Sequence, residues 1–274
     1  IPVDALGIVS PDALSAAVGD DTALACVIAA NNEVGAIQNI SAIADITRAR
    51  GTLLHADAVQ AAGKLPLDVR ALGVDSLAIS SHKIHGPKGV GLLFCRDGVP
   101  IAPLTHGGGQ ESGRRAGTQN VAGIVGFSAA MLLVHREMCR RVAGMRALQR
   151  RLRDGISRRI TGARVNGDPE RGIPSILNIS FDFVEGEAIV LSLDALGICV
   201  SSGSACASGS MEPSPVLLAM GVPRAATKGA VRFSLSADNT ESEIDSVVER
   251  LAEVIARLRE ISPFAQSESE EARI

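Results

Sequence analysis

Short apolar runs, each closed by a cluster of polar residues, punctuate the first half of this sequence and restrict its fold more than any other feature. Residues 24–30 are continuously apolar and end in Asn31-Asn32-Glu33. Residues 52–54 lead into His55-Ala56-Asp57-Ala58-Val59-Gln60, and residues 76–79 into Ser80-Ser81-His82-Lys83. A fourth run, 90–95, precedes the glycine-rich stretch His106-Gly107-Gly108-Gly109-Gln110-Glu111 and then Arg114-Arg115-Ala116-Gly117-Thr118. Runs that are apolar on both faces belong to strands covered on both sides. Between them, residues 40–50, with Ser41 as N-cap, read as a helix, and residues 69–73 as a turn of helix or a loop. The pattern predicts an α/β fold with a mostly parallel sheet flanked by helices.

The second half changes period. Met138, Val142, Met145, Leu148, Leu152 and Ile156 recur at three and four residues, the signature of a long amphipathic helix. Residues 121–134 ahead of it read as a buried helix, and the Arg-rich face of the long helix as a solvated surface. Strands are expected at 175–181 and 231–235, with a helix at 187–196 closed by Gly197. Thr240-Glu241-Ser242-Glu243 is a capping box that opens a final amphipathic helix. A boundary near residue 136 separates a first domain, 1–136, from a second, α+β domain, 137–274.

Composition excludes several functions. With 27 Lys and Arg against 30 Asp and Glu, the chain has no basic excess for nucleic acid, and the absence of Trp and Tyr removes base-stacking platforms. The longest strictly apolar run, 23–30, falls far short of the roughly 20 residues of a bilayer span, so no membrane partner is expected. The five cysteines are odd in number and widely spaced, without C-x-x-C. This excludes a disulfide scaffold and a zinc ribbon, and suggests a reducing, cytoplasmic compartment. His82 and His85 lack companion ligands, so no metal is expected. Gly63-Lys64 is followed by Leu65 and fails as a P-loop, and no complete dinucleotide or nucleophile-elbow motif is present.

Ligands of open α/β sheets bind beyond the carboxyl ends of the strands, where the polar clusters fall. Asn and Asp also cap helices and close turns, so any one cluster has a structural explanation. Four together point to a single polar pocket. A lysine among serine and histidine side chains, with an aspartate nearby, fits pyridoxal phosphate: the amine binds the aldehyde, and the carboxylate keeps the pyridine nitrogen protonated. Ser80-Ser81-His82 could hold its phosphate, and Gln60, three residues after Asp57, could share one ring edge with it. The segment Ser201-Ser202-Gly203-Ser204-Ala205-Cys206-Ala207-Ser208-Gly209 is small and polar. Its cysteine is therefore a candidate nucleophile, or else an incidental surface thiol. Cys26 and Cys95 lie in apolar runs and read as inert core residues.

Six motifs occur together and in order: Asn31-Asn32-Glu33-Val34-Gly35, His55 to Gln60, Ser81-His82-Lys83-Ile84-His85-Gly86-Pro87-Lys88-Gly89, Gly107 to Glu111, Arg115-Ala116-Gly117-Thr118, and Ser201 to Cys206. In this the chain resembles the NifS/IscS-type cysteine desulfurases, class-V aminotransferase-like enzymes of the pyridoxal-phosphate transferase fold type I. The resemblance implies a homodimer that takes L-cysteine, releases alanine and leaves a persulfide on Cys206 for an iron–sulfur scaffold or another sulfur-acceptor protein. It implies that Lys83 binds the cofactor, that Asp57 faces the ring nitrogen and Gln60 the ring hydroxyl, and that Ser80 and His82 hold the phosphate. Thr118 would reach the phosphate of the partner subunit, and Asn32 and Arg232 would hold the substrate carboxylate. Family members carry, ahead of the region matching Ile1, an N-terminal arm, a Gly-Thr phosphate turn and a histidine that stacks on the ring. None of these is in the sequence, and Pro2-Val3-Asp4 reads as a strand end without its strand, so the chain is expected to be the remainder of a longer polypeptide, the alternative being a naturally split protein. Other readings are a selenocysteine lyase or an aminotransferase of the same fold, and a truncated binding module without catalysis.

Overall fold

The structure is a computed structural model that describes residues 1–203 and 212–262. The chain divides into two compact units. One comprises Leu14–Ala29 and Asn39–Met138; the other comprises Ile1–Ala13, Ala30–Gln38 and Cys139–Ile274.

The first unit is built on a four-stranded sheet, β1 (Leu24–Ile28), β2 (Leu53–Asp57), β3 (Ser76–Ser80) and β4 (Gly91–Cys95), in that spatial order. β1, β2 and β3 are parallel, and β4 runs antiparallel to β3. The parallel pairs match the expectation from the apolar runs. The antiparallel edge follows from the short connection after β3, too short for a crossover helix. Leu54, Ala56, Leu77 and Ile79 are buried on one sheet face. α2 (Ile40–Ala49) buries Ile40, Ile43, Ala44 and Thr47, a stripe at helical spacing. Its N-cap is Asn39, whose side chain accepts from the Ala42 amide, rather than Ser41, which hydrogen-bonds the Asn39 side chain instead. α3 (Val69–Leu72) is capped by Asp68 and ends at left-handed Gly73. Asp75 stitches the sheet together. It accepts from the Leu54 amide at 2.8 Å and from Arg96 Nε and Nη2 at 2.8 and 2.6 Å.

The opposite face of this sheet is open. Leu24, Ile28 and Leu93 remain 51, 46 and 56% exposed. Cys26 lies on the same face and is exposed, not core, because strand residues alternate and nothing in this unit covers that side. The 121–134 segment also differs from expectation. It forms the first part of a 39-residue helix, α4 (Val121–Arg159), and is largely exposed. Phe127 and Val134 are buried, but Val121, Val125 and Leu132 are not. One window of α4 is long and apolar enough to cross a bilayer by length and composition. Its buried stripe, however, packs against protein: a Cβ on Gly63 would meet Val134, and one on Gly126 would meet Pro87.

In the second unit the sheet is antiparallel throughout, in the order β5 (Ala163–Asn166), β6 (Ile176–Phe181), β7 (Ala230–Ser234). β6 is central and buried along its whole length. Leu152 and Ile156 of α4, Ile189 and Leu193 of α5 (Gly186–Asp194), and Leu251 and Ile255 of α8 (Glu241–Glu260) pack into one cluster with it. Gly155 permits the close approach of two helices, since a Cβ there would sit 2.8 Å from Val248. The capping box at Thr240 and Glu243 is present as expected. Short helices α1 (Pro11–Ala17), α6 (Pro215–Ala219) and α7 (Arg224–Lys228) complete the chain. Leu152→Ala removes a fully buried side chain and should lower unfolding free energy by about 2–5 kcal/mol in urea melts.

Glu170 accepts from Arg150 and Arg153, and these bonds hold its carboxyl at about 2, below the ordinary value of 4.5. A depressed folded-state value contributes stability above the unfolded value, and that stability is lost as pH falls toward the folded one. The difference in stability between the wild type and Glu170→Gln should therefore shrink as pH is lowered from about 4.5 toward about 2. Because the pair is exposed, salt should weaken the effect.

Candidate functional site

Two parallel strands deliver the first group of polar side chains. Asp57 ends β2 and aligns with Ala78 of β3. Ser80 lies two residues beyond Ala78, so Asp57 and Ser80 share one sheet face at its carboxyl end. The Asp57 carboxylate accepts from the Val59 amide at 2.9 Å. The chain then makes a single helical turn, with Ala61 and Ala62 amides both donating to the Ala58 carbonyl, and this turn carries half-buried Gln60. After β3 comes a 3₁₀ turn, Ser81–Ile84, which presents His82 and Lys83. Ser80 Oγ lies 2.8 Å from His82 Nδ1. Lys83 is exposed and, among the described residues, makes no hydrogen bond or ion pair. Thr118 is also exposed, in an irregular stretch where the Gly117 amide donates to Gln110 Oε1.

The turn that presents Lys83 is held by close backbone packing. His85 adopts a left-handed φ of 64°, and its amide and that of Gly86 return to the Ser81 carbonyl. A Cβ on Gly86 would collide with Ser81 Oγ and lie 3.2 Å from Ala130 Cβ. Only glycine lets the chain close on Ser81, whose hydroxyl is buried without a hydrogen-bond partner among the described residues.

Lys64 was not marked by the sequence, which offered only the failed P-loop at Gly63-Lys64. Burial, and then the charge of Lys83, push its amine down to about 8. A carboxylate, a hydroxyl–imidazole pair and two neighbouring lysines form a donor set suited to an anionic, aldehyde-bearing ring such as pyridoxal phosphate.

The second unit holds the other expected residues. Arg232, on β7, donates from Nη1 to the Asn32 carbonyl at 3.0 Å, and exchanges backbone hydrogen bonds with Ser201. Asn31 Oδ1 accepts from the Glu33 and Val34 amides, which folds the Asn31-Asn32-Glu33 segment into a tight turn. A buried network supports that turn: Asn166 donates to Asn178 and Ser180, and Asn178 Nδ2 donates to the Glu33 carbonyl. Cys206 lies outside the described residues. The structure thus brings together Asp57, Ser80, His82 and Lys83 in one unit, and Asn32 with Arg232 in the other.

A family model, aminotransferase class-V, matches residues 1–247. The chain is 47% identical over 264 residues to a cysteine desulfurase of Gluconacetobacter diazotrophicus, covering 96% of this chain and 66% of that protein. It is 48% identical to one from Cereibacter sphaeroides, covering 98% of this chain and 68% of that protein. The chain therefore spans about two thirds of the length of these relatives. Among solved structures, a NifS-like protein superimposes with a TM-score of 0.87 at 41% identity, over 94% of this chain and 68% of that one. A NifS-like protein from Rickettsia africae gives 0.86 at 32% identity, over 93% and 69%.

The packing around Lys83 makes a testable pair. Gly86→Ala should destabilise by about 1–3 kcal/mol, and Ser81→Ala alone should be close to neutral, since it removes an unpaired hydroxyl. In the Ser81→Ala background the Gly86→Ala penalty should fall by at least about 0.5 kcal/mol, which urea melts of the four proteins would show.

Proposed function

Because the chain belongs to the class-V aminotransferase family, and within it to the cysteine desulfurases, we propose that its protein removes sulfur from L-cysteine, releases alanine and carries the sulfur as a persulfide on Cys206. The observation that supports this best is the grouping of Asp57, Ser80, His82 and Lys83 at the carboxyl ends of two adjacent parallel strands.

Pyridoxal phosphate, when bound, supplies an electron sink for the substrate α-carbon. Asp57 would hold the ring nitrogen and Gln60 the ring hydroxyl. Ser80 and His82, already 2.8 Å apart, would bind the phosphate, with Thr118 reaching the phosphate of a second subunit in a homodimer. Lys83 Nζ would anchor the cofactor and, once released, take the proton from the cysteine Cα. Asn32 and Arg232 would orient the substrate carboxylate, the arginine being steadied by the Asn32 carbonyl. The Cys206 thiolate attacks the substrate sulfur. An S–S bond forms, the Cβ–S bond breaks with its electron pair left on the carbon side, and a proton added at Cβ together with one returned to Cα completes alanine. The protein would hand the sulfur to an iron–sulfur scaffold or another acceptor, in the reducing cytoplasm that its widely spaced cysteines fit.

After treatment of the whole polypeptide with L-cysteine, mass spectrometry should find one added sulfur on the peptide holding Cys206. Cys206→Ser should abolish that addition and alanine release. Selenide release retained by this variant would favour a selenocysteine lyase instead. Lys83→Ala should lose the absorbance change on adding L-cysteine and lower turnover by at least about a hundredfold. Full turnover in Lys83→Ala would refute the reading.

A further inference from the structure

Asn178 holds a place in the second unit that the reaction described above does not use. It lies on β6, 1% exposed, directly opposite Asn166 of β5 and Arg232 of β7. Residues opposite one another in an antiparallel sheet point to the same face, so the three side chains form one row. Asn178 Oδ1 accepts from Asn166 Nδ2 at 2.7 Å, and Asn178 Nδ2 donates to the Glu33 carbonyl at 3.2 Å. Its neighbour Arg232 donates from Nη1 to the Asn32 carbonyl at 3.0 Å. Two adjacent members of the row therefore hold two consecutive carbonyls of one turn. Asn31 Oδ1 closes that turn from within, by accepting from the Glu33 and Val34 amides. Asn166 is itself buried and also donates to Ser180. The Asn178 amide is thus fixed from behind, since a buried amide that gave up either bond would pay for an unpaired polar group.

We infer that Asn178 is a positioning residue for substrate recognition: by docking the Glu33 carbonyl beside the Arg232–Asn32 contact, it sets the spacing of the Asn32 and Arg232 side chains that receive the substrate carboxylate. The inference deepens the desulfurase reading and rests on it. An arginine side chain has many rotamers, and the freedom it must lose on binding costs affinity. The Asn32 carbonyl restrains Arg232 only while that carbonyl is itself held, and the bond from Asn178 to the next carbonyl holds it. Loss of the Asn178 amide should therefore weaken recognition of the carboxylate and leave recognition of the amine unchanged. A role confined to packing would weaken both alike.

The test uses the whole polypeptide loaded with pyridoxal phosphate. It compares wild type, Asn178→Leu, Asn178→Ser (which keeps a hydroxyl for Asn166 on a shorter side chain), Arg232→Ala and the double variant Asn178→Leu with Arg232→Ala. Leu152→Ala serves as a destabilised control. Dissociation constants for L-alanine, and for ethylamine as the same amine without a carboxylate, are read from the absorbance change, alongside KM and kcat for L-cysteine. In both Asn178 variants the L-alanine constant and KM should rise about tenfold, while the ethylamine constant and kcat stay within about twofold. Asn178→Leu should add no further loss in the Arg232→Ala background, and Leu152→Ala should bind as wild type. An unchanged preference for L-alanine over ethylamine in both Asn178 variants, or a full additional loss in the double variant, would overturn the inference while leaving the desulfurase reading intact. So would a wild type with no preference between the two amines. A wild type that releases no alanine from L-cysteine would overturn both.

Discussion

The parallel pairing of β2 with β3 is the constraint on which the first group of site residues depends. Side chains alternate along a strand, so a register shift of one residue would send Asp57 and Ser80 to opposite faces. The observed register puts them on the same face, with Asp57 beside Ala78 and Ser80 one pleat further out. Asp75 guards that register at the other end of the strands, by bonding the Leu54 amide and gripping Arg96 beyond β4. Ionic and hydrogen-bonding groups at one end of the sheet thus fix the alignment of the groups at the other.

The same sheet face carries Ile28 directly beside Asp57 and Leu93 beside Ala78, all in one row across the strands. Polar residues occupy its carboxyl end, and exposed apolar ones lie on either side of that end. One row further back, His55 Nδ1 meets Ser76 Oγ at 2.8 Å, which satisfies two polar groups on an otherwise apolar strand pair. The second unit solves the analogous problem differently. Its central strand β6 is covered on both sides, and its polar side chains Asn178 and Ser180 are consumed in a closed network with Asn166 and the Glu33 carbonyl. A fully satisfied network of this kind gives a rigid platform for the Asn31-Asn32-Glu33 turn.

Lysine 83 and glycine 86 show how local geometry serves chemistry. The amine must be presented on a short turn, and that turn must not move. Its rigidity comes from backbone contact between Gly86 and Ser81 rather than from side-chain bonds to Lys83 itself, which leaves the amine unencumbered. The buried Ser81 hydroxyl without a described partner is the cost of that close contact. Lys64 adds a second positive charge nearby, so the region favours an anion.

Much of this was legible in the residues. Apolar runs located every strand except β5 to within three residues, because a strand that must bury a core face has a mostly apolar composition, and the polar clusters that followed three of them marked their carboxyl ends. The long helix and the Thr240 capping box were legible for the same reason, since period and cap chemistry are local. The sequence did not reveal that β4 runs backwards, that Asn39 rather than Ser41 caps α2, or that residues 121–134 and Cys26 are exposed. Whether an apolar residue is buried depends on what the rest of the chain brings against it, and a strand or helix records only which of its faces is apolar. The influence of Lys83 on Lys64, and the hydrogen bond from Ser214 to Glu33, join residues distant in sequence or unmarked by any pattern. Such pairings exist only once the chain has folded, because they are set by register and packing rather than by residue type.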